Sequence, residues 1–229
     1  MNREVPPLQP SAWIFDLDGT LVDTVETRIA AWLRTFEEFG IPAHRDQVAR
    51  LIGSDGRRLA RVVAEAAGQA SDSQRQEDID RRAGEMFSAL NLKPRVLPGA
   101  RELLSALDER RQRWAIATSS RREQVGASVN ALKLSRPPLI IDGSNVEHAK
   151  PAPDLLLLAA RELDIAPSQG CYVGDAVWDM RAAVAAGMPV IGVVSGSATA
   201  AELMEAGALF TVDDLTRLIP LVPSVSNNS

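Results

Sequence analysis

Trp13-Ile14-Phe15-Asp16-Leu17-Asp18-Gly19-Thr20 reads as a short buried strand that ends in two carboxylates and a turn. The apolar run follows a Pro-rich lead-in, and the turn chemistry of Asp18-Gly19 stops it. What comes next has a different period. From Asp23-Thr24 onward Ile29, Trp32, Leu33 and Phe36 recur on one helical face, and Gly40 and Pro42 close the segment. A strand therefore feeds directly into a long amphipathic helix.

Helical patterning continues over 46–52, 56–67 and 73–90, broken by Gly53-Ser54-Asp55 and Gly68-Gln69, and no strand is needed in this stretch. After Pro94 and Pro98-Gly99 the rhythm alternates. Helices are expected at 100–110, 123–132, 153–163, 176–186 and 198–206, and strands at 114–117, 139–141, 171–173 and 190–193. Such alternation predicts an α/β fold, a Rossmann-like doubly wound parallel sheet with helices on both faces. The first strand stands apart from the later run, so the helical block reads as an insertion: residues 1–24 and 94–229 form the core and 25–93 an all-helical cap domain. The Pro-rich start and the tail at 223–229 read as loose ends.

Composition narrows the function classes. A net charge of -5 and a pI near 5.2 argue against a nucleic-acid surface. No apolar stretch approaches the roughly 20 residues that span a bilayer, so no membrane partner is expected. The start of the chain has no apolar h-region and Cys171 stands alone, which together suit a reducing, cytoplasmic compartment. Cys171 falls inside a buried strand and reads as inert. Lys93, Lys133 and Lys150 are the only lysines, so chemistry that needs an ammonium group has few suppliers.

In open parallel sheets functional groups gather beyond the carboxyl ends of the strands. Those ends carry Asp16 and Asp18, then Thr118-Ser119-Ser120, then Gly174-Asp175 followed by Asp179, with Lys150 in the loop before helix 153–163. Two carboxylates two residues apart are costly unless a cation compensates, and Mg²⁺, which prefers carboxylate oxygens, suits Asp16 with Asp175. Asp179, one turn further on, reads as a supporting acid or a water-mediated ligand. Other readings exist for each piece: an Asx turn for the Asp-x-Asp-Gly-Thr stretch, an N-cap for Thr118-Ser119, a solvated loop position for Lys150.

Taken in order, these segments resemble the haloacid dehalogenase superfamily, in its phosphatase-like branch with a helical cap inserted after the first strand. Phe15 to Thr24 is similar to its first motif, Thr118-Ser119 to its second, Lys150-Pro151-Ala152-Pro153-Asp154 to its third, and Gly174 to Asp179 to its fourth. The resemblance implies a Mg²⁺-dependent phosphohydrolase acting through an aspartyl phosphate. Asp16 would be the nucleophile and Asp18 the acid/base. Thr118, Ser119 and Lys150 would bind the phosphoryl oxygens. Asp16, Asp175 and the backbone carbonyl of Asp18 would hold the metal.

A cap hinged near residues 24 and 94 implies a small phosphorylated metabolite, a sugar phosphate or a phosphoglycolate-like acid, closed away from water. Arg57 or Arg58, after the Gly53-Ser54-Asp55 turn, could pair with an anionic group on it or lie on a solvated helix face. The cap has no lysine before Lys93, which disfavours Schiff-base C–P cleavage, and Asp18 disfavours dehalogenation. Thr27-Arg28-Ile29 has no histidine where β-phosphoglucomutase relatives carry one, yet a mutase stays as an alternative, as does a non-catalytic phosphometabolite-binding protein. Trp13, Trp32 and Trp114 read as core, His44 and His148 as structural or solvated, and the facing of Trp178 is open. A monomer or a small homo-oligomer is expected.

Overall fold

The computed structural model describes residues 8–223; the first seven residues and nearly all of the tail read above as loose ends lie outside them. The first strand, β1 (Ala12–Phe15), is followed by β2 (Val22–Asp23), then α1 (Val25–Glu38), α2 (Arg45–Ala49), α3 (Gly56–Ala66), α4 (Ser73–Leu90) and β3 (Arg95–Val96). The alternating half then runs α5 (Ala100–Glu109), β4 (Arg113–Ala117), α6 (Gly126–Leu132), β5 (Leu139–Ile141), α7 (Asp154–Glu162), β6 (Gly170–Gly174), α8 (Val177–Ala186), β7 (Val190–Val193), α9 (Ala200–Glu205) and β8 (Thr211–Val212).

Six strands form one parallel sheet in the order β5-β4-β1-β6-β7-β8. β1 lies inside it because its four residues are buried on both faces. Alternate side chains separate: Trp13 and Phe15 join Leu103, Leu104 and Leu107 of α5 and Leu132 of α6 on one face. Ala12 and Ile14 join Leu155 and Leu156 of α7, Met180 of α8 and Leu203 of α9 on the other. Full burial of side chains this size stabilises by about 1.5–3 kcal/mol each. The fold is thus the doubly wound α/β sheet that the alternation predicts.

The chain leaves β1 toward β4 and β5, then returns to β6, β7 and β8 on the opposite side. Order reverses at β1, and a crevice opens there beyond the strand ends. Asp16 is the first residue past β1.

Helices α1 to α4 pack on one another through Ile29, Trp32, Phe36, Leu59, Val63, Ile79 and Ala83. Asp55 and Asp72 cap α3 and α4 by accepting from the Arg58 and Arg75 amides at 3.1 and 2.8 Å, each cap stabilising by about 1 kcal/mol. Where this block joins the core, β2 and β3 pair antiparallel, Val22 with Val96 and Asp23 with Arg95. The periodicity reading did not anticipate this two-residue ribbon, nor β8, because two residues carry no measurable period. It also drew one helix over 123–132, whereas the chain makes a 3₁₀ turn at Arg122–Gln124 before α6 starts at Gly126.

Candidate active site

Three adjacent strand ends supply the crevice. β1 delivers Asp16 and, around the turn, Asp18; β4 delivers Thr118, Ser119 and Ser120; β6 delivers Asp175. Gly19 makes the turn possible. It adopts φ +88°, and a Cβ there would stand 2.3 Å from a carboxylate oxygen of Asp175, so a side chain is excluded by both conformation and space. Gly196 meets the same carboxylate from the loop after β7, where a Cβ would come within 1.9 Å.

Lys150 is wholly buried, and its Nζ donates to Asp16 Oδ1 at 2.6 Å and Asp179 Oδ1 at 2.7 Å. Asp179 also accepts from Tyr172 Oη at 3.0 Å and from the Ala176 amide at 2.9 Å, so the acid is a fixed seat for the ammonium group. Asp175 accepts from Thr20 Oγ1 at 2.7 Å. Burial opposes the charge on Lys150, but Asp16 and Asp179 outweigh it and hold the ammonium above its ordinary range.

Asp16, Asp175 and Asp179 offer oxygens within 4.8 Å of one another, all buried. Three carboxylates face one ammonium group. Burial, the neighbouring carboxylates and only partial relief from Lys150 push Asp16 up to about 7, and burial with the charges of Asp179 and Asp16 raises Asp175 well above its ordinary value. This surplus of negative charge, built from hard oxygen donors and left clear by Gly19 and Gly196, fits a divalent cation.

Asp18 is treated differently. Its Oδ1 accepts from Thr24 Oγ1 at 2.7 Å, and its Oδ2 from Ser120 Oγ at 2.6 Å and Arg28 at 2.8 Å. Burial raises its pKa, yet the Arg28 charge and these hydrogen bonds outweigh burial and hold the carboxyl below the usual range.

The cap lies closed over these groups. The Asp55 amide donates to Lys150 O at 2.7 Å, Ser119 Oγ donates to Gly53 O at 3.2 Å, and Arg121 from the core pairs with Glu77 and Asp80 of α4 at 2.7 Å each. Trp178 faces the cap, packing into its apolar cluster and donating from Nε1 to Arg50 O at 3.0 Å. A cavity of about 50 Å³ remains between the two parts, lined by Asp16, Asp18, Arg28, Thr118, Lys150 and residues of the 53–56 turn. A larger groove of about 660 Å³, between α2 and α8–α9, touches only Asp175 of the acidic group.

Asp16, Asp18, Thr118, Ser119 and Lys150 are thus brought to one cavity, with Asp175 and Asp179 beside Asp16. Arg57 and Arg58 are not. Arg57 donates to Glu147 O at 2.5 Å and so clasps cap to core, while Arg58 stacks over Trp178 at 4.9 Å from the ring centre. The arginines that line the cavity are Arg28 and Arg121. Arg28 was missed as a site residue, although its position carried a signal: a cation in the first turn of a helix faces the positive end of the dipole and needs an anion nearby.

The sequence profile of the haloacid dehalogenase-like hydrolases matches residues 13–193. The chain is 32% identical to a β-phosphoglucomutase of Bacillus subtilis, over 81% of this chain and 84% of that protein. It is 31% identical to a phosphorylated carbohydrates phosphatase of Thermotoga maritima, over 88% and 93%. Among solved structures, a hydrolase from Pseudomonas syringae superposes with a TM-score of 0.87 at 33% identity, covering 91% of this chain and 96% of that one. Motifs, sheet order and relatives agree, and the chain belongs to the haloacid dehalogenase-like hydrolase family.

Proposed function

We propose that this protein is a Mg²⁺-dependent phosphohydrolase that cleaves a small phosphomonoester, a sugar phosphate or a phosphoglycolate-like acid, through an aspartyl phosphate. The carrying observation is that Asp16 and Asp18 share one cavity with Lys150 and Thr118. Asp16 is the nucleophile: its carboxylate oxygen forms the bond to phosphorus as the bond to the leaving alcohol oxygen breaks. Asp18 gives that oxygen its proton, then takes one from the water that attacks the aspartyl phosphate, releasing inorganic phosphate and restoring Asp16.

Lys150, held by Asp179, offsets charge on the phosphoryl oxygens, and Thr118 donates to one of them. Ser119, whose hydroxyl is engaged with the cap, offers its amide to the same group. Asp16 and Asp175, with the carbonyl of Asp18, would hold Mg²⁺, which when bound supplies electrostatic stabilisation of the transferring group. The closed cap excludes water from the nucleophile.

Purified protein with Mg²⁺, screened against a phosphomonoester library with product identification, tests the reading. Release of inorganic phosphate is expected. An isomerised sugar phosphate that depends on a bisphosphate activator would instead support the mutase suggested by the Bacillus relative. Tight binding of a phosphometabolite without turnover would support a binding protein.

A further inference from the structure

Arg28 occupies an unusual position. It comes from the cap, in the first turn of α1, yet its guanidinium sits on the acid/base of the core. One terminal nitrogen donates to Asp18 Oδ2 at 2.8 Å and reaches Ser120 Oγ as well; the other donates to Gln124 Oε1 at 2.9 Å. The group lies 3.4 Å over the centre of the Phe87 ring, and the side chain is only 12% exposed.

Asp18 Oδ2 already accepts from both Ser120 and Arg28, and Oδ1 accepts from Thr24. To meet the oxygen of a leaving alcohol through Oδ2, Asp18 must give up one of these partners. Thr24 and Ser120 are short side chains buried in the core beside Asp18. Arg28 is long and reaches in from α1, outside the core, but a guanidinium left unpaired in a buried site carries a heavy penalty. It will leave Asp18 readily only for another anion, and its planar fork matches carboxylate or phosphate.

We propose that Arg28 selects substrates whose leaving alcohol carries a second anionic group, which draws the guanidinium off Asp18 as it binds. No proton moves in this exchange; the guanidinium trades one anion for another. Phe87 and Gln124 keep the plane aimed into the cavity. Arg121, the cavity's other arginine, is already neutralised by Glu77 and Asp80 and is not the reader. The inference rests on the phosphohydrolase reading and goes beyond it by naming the selecting residue and the charge it selects.

Two matched pairs of substrates test it: 2-phosphoglycolate against its neutral amide, and propane-1,3-diol bisphosphate against propyl phosphate. With Mg²⁺ the intact protein is expected to favour the anionic member of at least one pair in kcat/KM by roughly ten- to a hundredfold, the range of one charge-assisted hydrogen-bond pair. Which pair responds tells carboxylate from phosphate. Arg28→Met should bring the ratio close to one, and Arg28→Lys should restore part of it, with circular dichroism confirming the fold. Should Arg28→Met not fold, Gln124→Leu, which removes the guanidinium's second support, should lower the ratio.

No charge preference in the intact protein, or a ratio untouched by these substitutions while both rates fall together, overturns the inference and leaves the phosphohydrolase reading standing. Hydrolysis of none of the four, nor of any library substrate, overturns that reading and this inference with it.

Discussion

The amide of Asp55, in the cap, donates to the carbonyl of Lys150, in the core, at 2.7 Å. The residue whose ammonium group faces Asp16 therefore also anchors the lid through its backbone. Cap position and the electrostatics of Asp16 are mechanically joined at one residue, which makes both open to measurement.

Asp16→Asn keeps the shape and removes the proposed nucleophile. Phosphate release should fall by roughly 10³-fold or more, with the melting temperature unchanged or higher, since a buried acid held up to about 7 becomes neutral. Turnover equal to that of the intact protein would assign the activity to another source.

Lys150→Met removes a buried cation and leaves Asp16 and Asp179 facing each other without compensation. Breaking such a pair from one side costs about 3–5 kcal/mol. Urea unfolding of the metal-free protein at neutral pH should show a loss of that order. The deficit should shrink in acid, where the carboxylates accept protons.

Metal and pH should act together. Asp16 has a folded pKa near 7 against an ordinary value of 3.8. Between these values the folded state binds more protons than the unfolded chain, so metal-free stability falls as pH rises through that window. Asp175 shifts in the same direction. Asp18, held below the usual range, adds stability that is lost only in stronger acid. Thermal melts with and without Mg²⁺ should therefore diverge as pH rises from 5 to 8, the metal stabilising most at the alkaline end. A Mg²⁺ effect that is constant across this range would argue against the acidic cluster as its site.

Asp55→Ala keeps the backbone anchor and tests the side chain beside it. It removes the N-cap that Asp55 gives the Arg58 amide, at a cost of about 1 kcal/mol, together with the contact from its carboxylate to the Ala149 amide at 3.4 Å. Stability should fall modestly while KM rises, because the side chain links α3 to the loop that carries Lys150. Limited proteolysis near residues 53–56 should speed up in the variant.

The core strands and most helices were legible because their signals are local. Ser73–Leu90 and Leu139–Ile141 were drawn to the residue from periodicity and apolar runs. The ribbon of β2 and β3 was not, since its partners are 74 residues apart in sequence at Val22 and Val96 and each strand has two residues. In the candidate site, Asp16, Asp18, Thr118 and Asp175 announced themselves by falling after strands, and Lys150 by its place in the loop before the helix at 153–163. Arg57 and Arg58 were offered as substrate contacts because they follow the cap turn, yet side-chain direction on α3 takes one to Glu147 and the other to Trp178.

By itself, then, the sequence determined the doubly wound core, the run of helices that follows its first strand and the acids that fall after the strand ends, because strand and helix periods and turn residues act over a few neighbours. Tertiary structure alone decided which cation meets which acid. Lys150 spans Asp16 and Asp179, and Arg28 crosses from the cap to Asp18. The Lys150 pairings join core residues 134 and 29 apart in sequence and the Arg28 pairing needs the packing of cap on core, and in a buried site each charge takes the partner that geometry places beside it.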